Sequence, residues 1–443
     1  MRRNDRVIAQ SLWRRAATAV LHVADVAKRD PAVLRNFLAL GFIQVTNYGL
    51  PILTMPYLVR TLGIANYGLL AFAQSLGQYC KLIIDYGFDL SATRTISLAQ
   101  DDLDVRSRAF SNVLWIRLAL ALACLALLSA VVGATDKLRF YWDIHLLTFV
   151  SAFASALSSI CFYQGIERME YITYLYTASR LIITASIFLF VRSEADYYKM
   201  PIINGVTELA LNLAGLWFAR RRFGFRLHAP ALAELRRGLS EGWHPFVSWL
   251  FQNSYTAART FALGLFNSES ITGRFVLAAR LSEICQMFPL ASLLQAIYPR
   301  LSRMYEEDPR RAFAAMRRFQ LWTTIAYTAG IPVAMLLAGW VIRLVAKQEF
   351  PETLLSLRLL LAGVWIINLN AFRMQFLLVS KRYANYSRLQ LVAGTAGSIL
   401  LFAGSWAYSY VGVAVSLNLV SIYLLLATMQ LVKPPELPDE PPR

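Results

Sequence analysis

The chain has 443 residues, of which 57% are hydrophobic and only 16% charged, and a formal net charge of +17. Soluble globular chains carry about 45–50% apolar and about 25% charged residues, so a mean hydropathy of +0.46 excludes the soluble, disordered and fibrous classes and leaves a membrane protein. In a soluble chain the basic excess would suggest nucleic acid; in a membrane protein it belongs in cytoplasmic loops, where it fixes orientation, and no nucleic-acid partner is expected.

Residues 1–34 form a basic N-terminal extension with Arg2, Arg3, Arg6, Arg14, Arg15, Lys28 and Arg29. Ile8, Leu12, Ala16 and Val20 fall at helical spacing, which suits a basic amphipathic helix on an anionic membrane surface; a ragged extension is the other reading. No apolar stretch there has the length a cleavable signal needs.

A spanning helix takes about 20 mostly apolar residues. That rule predicts twelve spans, at 35–59, 66–90, 108–133, 142–165, 171–191, 199–219, 243–266, 272–297, 317–346, 353–380, 384–406 and 409–432. The fold expected is an all-α polytopic membrane protein, with two six-helix lobes around a central cavity. Residues 35–219 form the first lobe, 220–242 a basic linker, 243–432 the second lobe, and 433–443 a proline-rich tail. Lys and Arg crowd the head, the linker and alternate loops and are sparse in the others. By the positive-inside rule this places both termini in the cytoplasm.

The halves echo each other. Asp101-Asp102-Leu-Asp104-Val-Arg106-Ser-Arg108-Ala-Phe110 follows the second span, and Glu306-Glu307-Asp308-Pro-Arg310-Arg311-Ala-Phe313 follows the eighth. The recurrence predicts a duplicated six-span unit, both copies oriented alike, with the substrate path between them.

Polar groups inside spans are costly, and each is a functional candidate. Gln74, Gln78, Lys81 and Asp85 form one stripe on the second span, lining a cavity or, for Lys81 and Asp85, neutralising each other at i,i+4. Asn204, Glu208 and Asn212 recur at i+4 on the sixth, with Glu208 about 15 Å deep. Gln252, Thr256 and Arg259 share a face of the seventh span; Arg280, Glu283 and Gln286 share one on the eighth. Arg259 and Arg280 reach similar depth, and paired guanidiniums suit a phosphate anion. The anion candidates are therefore Arg259, Arg280 and Lys81, with Arg373 and Arg117 behind them. Arg117, Arg180 and Arg373 lie nearer the cytoplasmic ends, where snorkelling is an alternative role. Glu208, Glu283 and Asp85 are the coupling or pairing candidates, because burial moves a carboxyl toward protonation at physiological pH. Pro51, Pro56, Pro245, Pro289 and Pro332 permit bends in helices flanking the cavity.

Nucleotide-binding, metalloprotease and hydrolase motifs are absent. Cys80, Cys124, Cys161 and Cys285 are too dispersed for a metal or disulfide framework, and His22, His145, His228 and His244 are scattered. No cofactor and no metal is expected. No outer loop exceeds about 12 residues, too little for the extracytoplasmic chemistry of a glycan polymerase or ligase, so the chain is read as a non-enzyme.

Asn36, Gln44, Asn47, Pro51, Thr54, Pro56-Tyr57-Leu58, Arg60 and Leu62-Gly63 run into Tyr67-Gly68, Ala71-Phe72-Ala73-Gln74, Asp85-Tyr-Gly-Phe88 and Ser91-Ala-Thr-Arg94. This run resembles the Wzx-type O-antigen and polysaccharide flippases of the multidrug/oligosaccharidyl-lipid/polysaccharide exporter superfamily. The resemblance implies a V-shaped cavity between the lobes and an undecaprenyl-diphosphate-linked oligosaccharide as cargo. It also implies movement from the cytoplasmic to the periplasmic leaflet of a bacterial inner membrane, driven by an ion gradient. Partners would be the lipid-linked substrate, membrane lipids, and glycan polymerase and chain-length regulator proteins. Asn36, Gln44, Asn47, Pro51, Pro56, Arg60, Asp85 and Arg94 would be family motif positions, mainly architectural. A drug or cation antiporter of the same superfamily, a membrane enzyme of glycan assembly and a scaffold of the assembly complex are the competing readings.

Overall fold

A computed structural model describes residues 49–99, 102–286, 290 and 292–433. Family positions Asn36, Gln44 and Asn47, the basic head and the acidic tail lie outside them. Among the described residues the regular structure is entirely helical.

The first lobe comprises α1 (Leu50–Asp85), α2 (Phe88–Leu98), α3 (Leu103–Ala134), α4 (Asp136–Phe140), α5 (Trp142–Ala156), α6 (Ile160–Gly165), α7 (Met169–Phe190) and α8 (Lys199–Phe223). The second comprises α9 (Leu232–Phe266), α10 (Glu269–Gln286), α11 (Ser292–Glu307), α12 (Pro309–Ala346), α13 (Pro351–Val379) and α14 (Tyr383–Leu431). Seven helical stretches hold an 18-residue window apolar enough to cross a bilayer. Two of the long helices contain internal breaks. In α1 the chain breaks at Gly63, whose φ of 77° is a conformation glycine adopts without steric cost. In α14 it breaks at Tyr408 and Ser409, and the two arms then pack backbone to backbone: a Cβ on Gly412 would stand 1.9 Å from the Gly404 carbonyl oxygen. The first break falls between two predicted spans and the second at the start of the twelfth.

Other boundaries differ from the sequence reading. The fourth span is interrupted at residues 157–159, and the basic linker is already helical from Leu232, so α9 begins eleven residues before the predicted span at 243. The Arg-rich start of that helix rests on the first lobe: Asn112 Nδ2 donates to the Glu234 carbonyl at 3.2 Å, and Tyr86 Oη donates to the Leu239 carbonyl at 3.0 Å.

The repeated acidic motif turns out to be a helix-start device. Asp102 accepts from the Asp104 and Val105 amides at the start of α3, and Asp308 accepts from the Arg310 and Arg311 amides at the start of α12. Each satisfies amides that the first turn leaves without intrahelical partners.

The largest apolar core joins α10, α12, α13 and α14 through Phe275, Ile342, Leu361, Phe372, Leu401 and Val413. Smaller cores hold the first lobe, around Phe110 and Phe162 and around Ile84 and Phe149. Large apolar side chains also face outward: on α12 alone Leu321, Trp322, Ile325, Val333, Leu336 and Trp340 are exposed. A soluble monomer rarely carries so continuous a patch, and acyl chains are its natural solvent. The protein is a multi-pass membrane protein.

Candidate functional site

The lobes meet along α1. At the end opposite the basic loops, α1 and α10 touch through Gly68 and Gly273: a Cβ on Gly68 would stand 1.9 Å from the Glu269 carbonyl oxygen, and one on Gly273 would stand 2.0 Å from that of Ile64. Arg60 reaches across to the C-terminus of α12 and donates from Nε to the Val345 carbonyl at 2.8 Å and from Nη2 to that of Leu344. Those carbonyls lack intrahelical partners, and a cation at a helix C-terminus also meets its dipole favourably. Lys137 donates to the Asn267 carbonyl across the same boundary. Along the other side of α1, α9 packs by aromatic contacts, with Phe72 stacked on Phe261 at 5.8 Å and Tyr86 on Phe246 at 4.5 Å.

Below the Gly68–Gly273 contact lies a chamber of about 470 Å³ between both arms of α1 and helices α7, α8 and α10. Its apolar wall includes Met55, Leu58, Leu62, Ile183 and Ile187; its polar wall comprises Tyr67, Gln74, Arg180, Thr184, Arg280 and Glu283. Pro51 also lines it, at the start of α1, and Pro56 lies within that helix.

Arg280 and Glu283 lie one turn apart on α10, and Arg259 approaches from α9. Arg280 Nη1 donates to Glu283 Oε2 at 3.1 Å, while Arg259 Nη2 donates to Oε1 of the same carboxylate. One carboxylate shared by two guanidiniums leaves a local charge of +1. Arg180, from α7, adds another cation to the chamber wall. Arg259 lies behind Glu283 rather than on the wall itself, so the three residues form a layered cluster whose outward face is Arg280.

The other sequence candidates are distributed elsewhere. Arg117 is fully buried in the first lobe: Nη2 contacts Asp89 at 2.9 Å, Nη1 donates to the Ser158 carbonyl at 3.3 Å, and the guanidinium lies 6.0 Å from the Phe88 ring centroid. Lys81 and Asp85 are half-buried on α1; neither lines the chamber, and no ion pair joins them among the described residues. Glu208 on α8 is half-buried and accepts from the Ser151 hydroxyl on α5. Arg94 is exposed on α2. Arg373 lies in a second cavity, of about 410 Å³, confined to α12, α13 and α14. The structure therefore brings Arg259, Arg280 and Glu283 together and keeps Lys81, Asp85, Arg117, Glu208 and Arg373 out of the chamber wall.

Three residues gain roles that spacing did not single out. Asp89 neutralises Arg117, but the left-handed Tyr86 and Gly87 between α1 and α2 break the helical register that would have related it to Asp85. Arg180 joins the chamber because α7 leans on α1, a tertiary fact. Arg317 faces Arg373's cavity from α12, where the sequence offers only another basic residue at a span end.

The family model described as polysaccharide biosynthesis protein matches residues 33–305. Two similar curated proteins both carry the name "Putative O-antigen transporter". That of Escherichia coli (strain K12) is 26% identical over 86% of this chain and 92% of its own length, and that of Shigella dysenteriae is 23% identical over 90% and 100%. Among solved structures, lipid II flippase MurJ in an inward closed conformation superposes with a TM-score of 0.62 at 12% identity, covering 89% of this chain and 86% of MurJ. An inward-facing multidrug resistance MATE family transporter of the MOP superfamily gives 0.62 at 13% identity, covering 85% and 96%. At these identities the two structures report the fold alone, a shared arrangement of membrane helices. The family match extends over more than half the chain and contains the Arg60, Asp85 and Arg94 motif run, the chamber's α1 wall and the Arg259–Glu283–Arg280 cluster: the chain belongs to the polysaccharide biosynthesis protein family.

Proposed function

We propose that the protein is a flippase that moves an undecaprenyl-diphosphate-linked oligosaccharide, an O-antigen or exopolysaccharide repeat unit, from the cytoplasmic to the periplasmic leaflet of a bacterial inner membrane, and that it does no covalent chemistry. The observation that carries this reading is the net-cationic cluster of Arg259, Glu283 and Arg280 beside an apolar wall. The diphosphate exchanges for part of Glu283's hold on Arg280, while Met55, Leu58 and Ile187 offer the polyprenyl chain an apolar surface. Guanidinium keeps its charge when partly buried and binds phosphate oxygens in pairs.

Both termini are cytoplasmic in this reading, so the Gly68–Gly273 contact and the Arg60 latch close the periplasmic end while the chamber takes cargo from the other side. Alternating access then requires those contacts to part. An ion gradient supplies the work. Glu208 and Asp85 are the carboxyls for that coupling, since Glu283 is already held between two arginines. Lipid-linked oligosaccharide is the substrate, membrane lipids are the solvent, and glycan polymerase and chain-length regulator proteins receive the product.

The curated relatives' names support an O-antigen cargo, and the charge of the cluster argues against a drug or cation antiporter, which needs a net acidic cavity. The test is export of surface glycan in R259A, R280A and the double variant, with membrane insertion checked by immunoblot. Export falls at least tenfold in R280A and further in the double variant, because each charge-assisted hydrogen bond lost is worth about 1.5–3 kcal/mol. Unchanged export in all three rejects the anion site, and resistance to cationic drugs lost on deletion would favour the antiporter.

A further inference from the structure

The cavity of the second lobe is separate from the chamber: its walls are α12, α13 and α14, and it shares no lining residue with the first. Two arginines face it at one level. The antiparallel register of α12 on α13 sets that level, since Phe313 meets Phe376 at 5.7 Å, Phe319 stacks on Phe372 at 6.2 Å and 15°, and Gln320 Nε2 donates to the Asn368 carbonyl at 2.7 Å. The same register puts Arg317 opposite Arg373, and both line the cavity together with Gln320. Neither arginine meets a carboxylate within 4.0 Å among the described residues, and of the acidic residues that precede Arg317, Glu306 pairs with Lys381 and Asp308 with Arg311. The Gln320 side chain is more than nine-tenths buried, and its Oε1 has no hydrogen-bond partner.

Two like charges facing each other at a membrane edge repel unless an anion lies between them. The wall beyond them identifies the anion's attachment. Leu321 and Met429 line the same cavity and are exposed at 58% and 54%, so it opens sideways onto the apolar belt rather than into bulk water. Basic pockets between membrane helices on the arginine-rich side are suited to lipid head groups.

We propose that this cavity binds the phosphate of an anionic membrane phospholipid. Arg317 and Arg373 clamp the phosphodiester, a glycerol hydroxyl donates to Gln320 Oε1, and an acyl chain runs along Leu321 and Met429. The site is independent of the flipped cargo and anchors the second lobe to the leaflet on its basic side, which the orientation proposed above makes the cytoplasmic one.

The test uses the full chain purified in detergent, with dioleoyl-phosphatidylglycerol, dioleoyl-phosphatidylcholine and inorganic phosphate as probes and bound lipid counted by native mass spectrometry. Phosphatidylglycerol binds with one saturating site, and its affinity falls at least tenfold in R317Q/R373Q, as expected when two charge-assisted contacts are lost. R317K/R373K, which keeps the charge but not the paired hydrogen bonds, binds more tightly than R317Q/R373Q, and R280A leaves binding unchanged. Wild-type affinity in R317Q/R373Q overturns the proposal, as does a fall in R280A as large as in that pair, since the lipid would then occupy the chamber. Equal binding of phosphatidylcholine, or of inorganic phosphate alone, overturns the lipid assignment. Should the Gln pair lose its monodisperse elution, a photoactivatable phosphatidylglycerol decides on the wild-type chain: label on peptides holding Leu321 or Met429 supports the site, and label confined to other helices overturns it.

Discussion

Gly68 of α1 and Gly273 of α10 meet backbone against backbone, so closely that a methyl group on either would stand about 2 Å from a main-chain oxygen of the other helix. No side chain buffers the contact. Small residues allow membrane helices to approach this closely, and here the approach is also the seam between the lobes.

Substituting either glycine by alanine therefore acts on the seam and leaves each lobe's own core intact. G68A and G273A are expected to insert normally but to lose at least tenfold in glycan export, because overpacked contacts cost about 1–3 kcal/mol and the closed state bears that cost. Normal export with unchanged membrane levels would show that the contact is incidental.

Arg60 fastens the same end by a different device, donating to the last carbonyls of α12. R60A removes both hydrogen bonds, while R60K keeps the charge but not the fork. In a background with the four cysteines replaced, M55C inside the chamber is expected to react with a membrane-impermeant thiol reagent added from the periplasm at least fivefold faster in R60A than with Arg60 present. R60K should fall between them. Equal labelling rates would remove Arg60 from the gate.

Arg117 behaves as a buried charge with a half-exposed partner, Asp89. Removing the partner alone is the damaging change: D89N takes away the carboxylate that the buried guanidinium contacts and should cost about 3 kcal/mol, read as a lowered Tm in detergent. R117M together with D89N should recover part of that loss, since the buried guanidinium that needed Asp89 is gone as well. If D89N and the double variant are equally destabilised, the pair is not what holds α2 to α3.

Glu283 sets the charge that the cargo meets. E283Q raises the cluster from +1 to +2 and frees Arg280 toward the chamber. Undecaprenyl diphosphate should then bind purified protein more tightly, by about fivefold, while export falls, because tighter holding of the ground state slows release. Weaker binding in E283Q would mean that the carboxylate positions Arg280 rather than competing for it.

The parts legible in the sequence are those set by local pattern. Gly63 and the Tyr408–Ser409 step mark span ends because a bilayer limits how far an apolar run can continue, and Asp102 and Asp308 announce helix starts through their recurring spacing. The polar faces of α9 and α10 were likewise visible, which is why Arg259, Arg280 and Glu283 could be grouped. Spacing on single helices does not say which faces meet. Lys81 and Arg280 both read as cations inside spans, and only the packing of α1 against α10 and α7 leaves the first aside and adds Arg180.

By itself, then, the chain's composition and periodicity determined a polytopic helical membrane protein whose intramembrane charges must avoid lipid, since hydration and backbone hydrogen bonding act residue by residue. The tertiary structure decided which charges neutralise one another. Arg117 is cancelled by Asp89, Glu283 is shared by two arginines, and Arg317 faces Arg373 with no carboxylate between. Those outcomes depend on distances of a few ångströms between helices far apart in sequence, and Coulomb energies in a low-dielectric interior change steeply over that range.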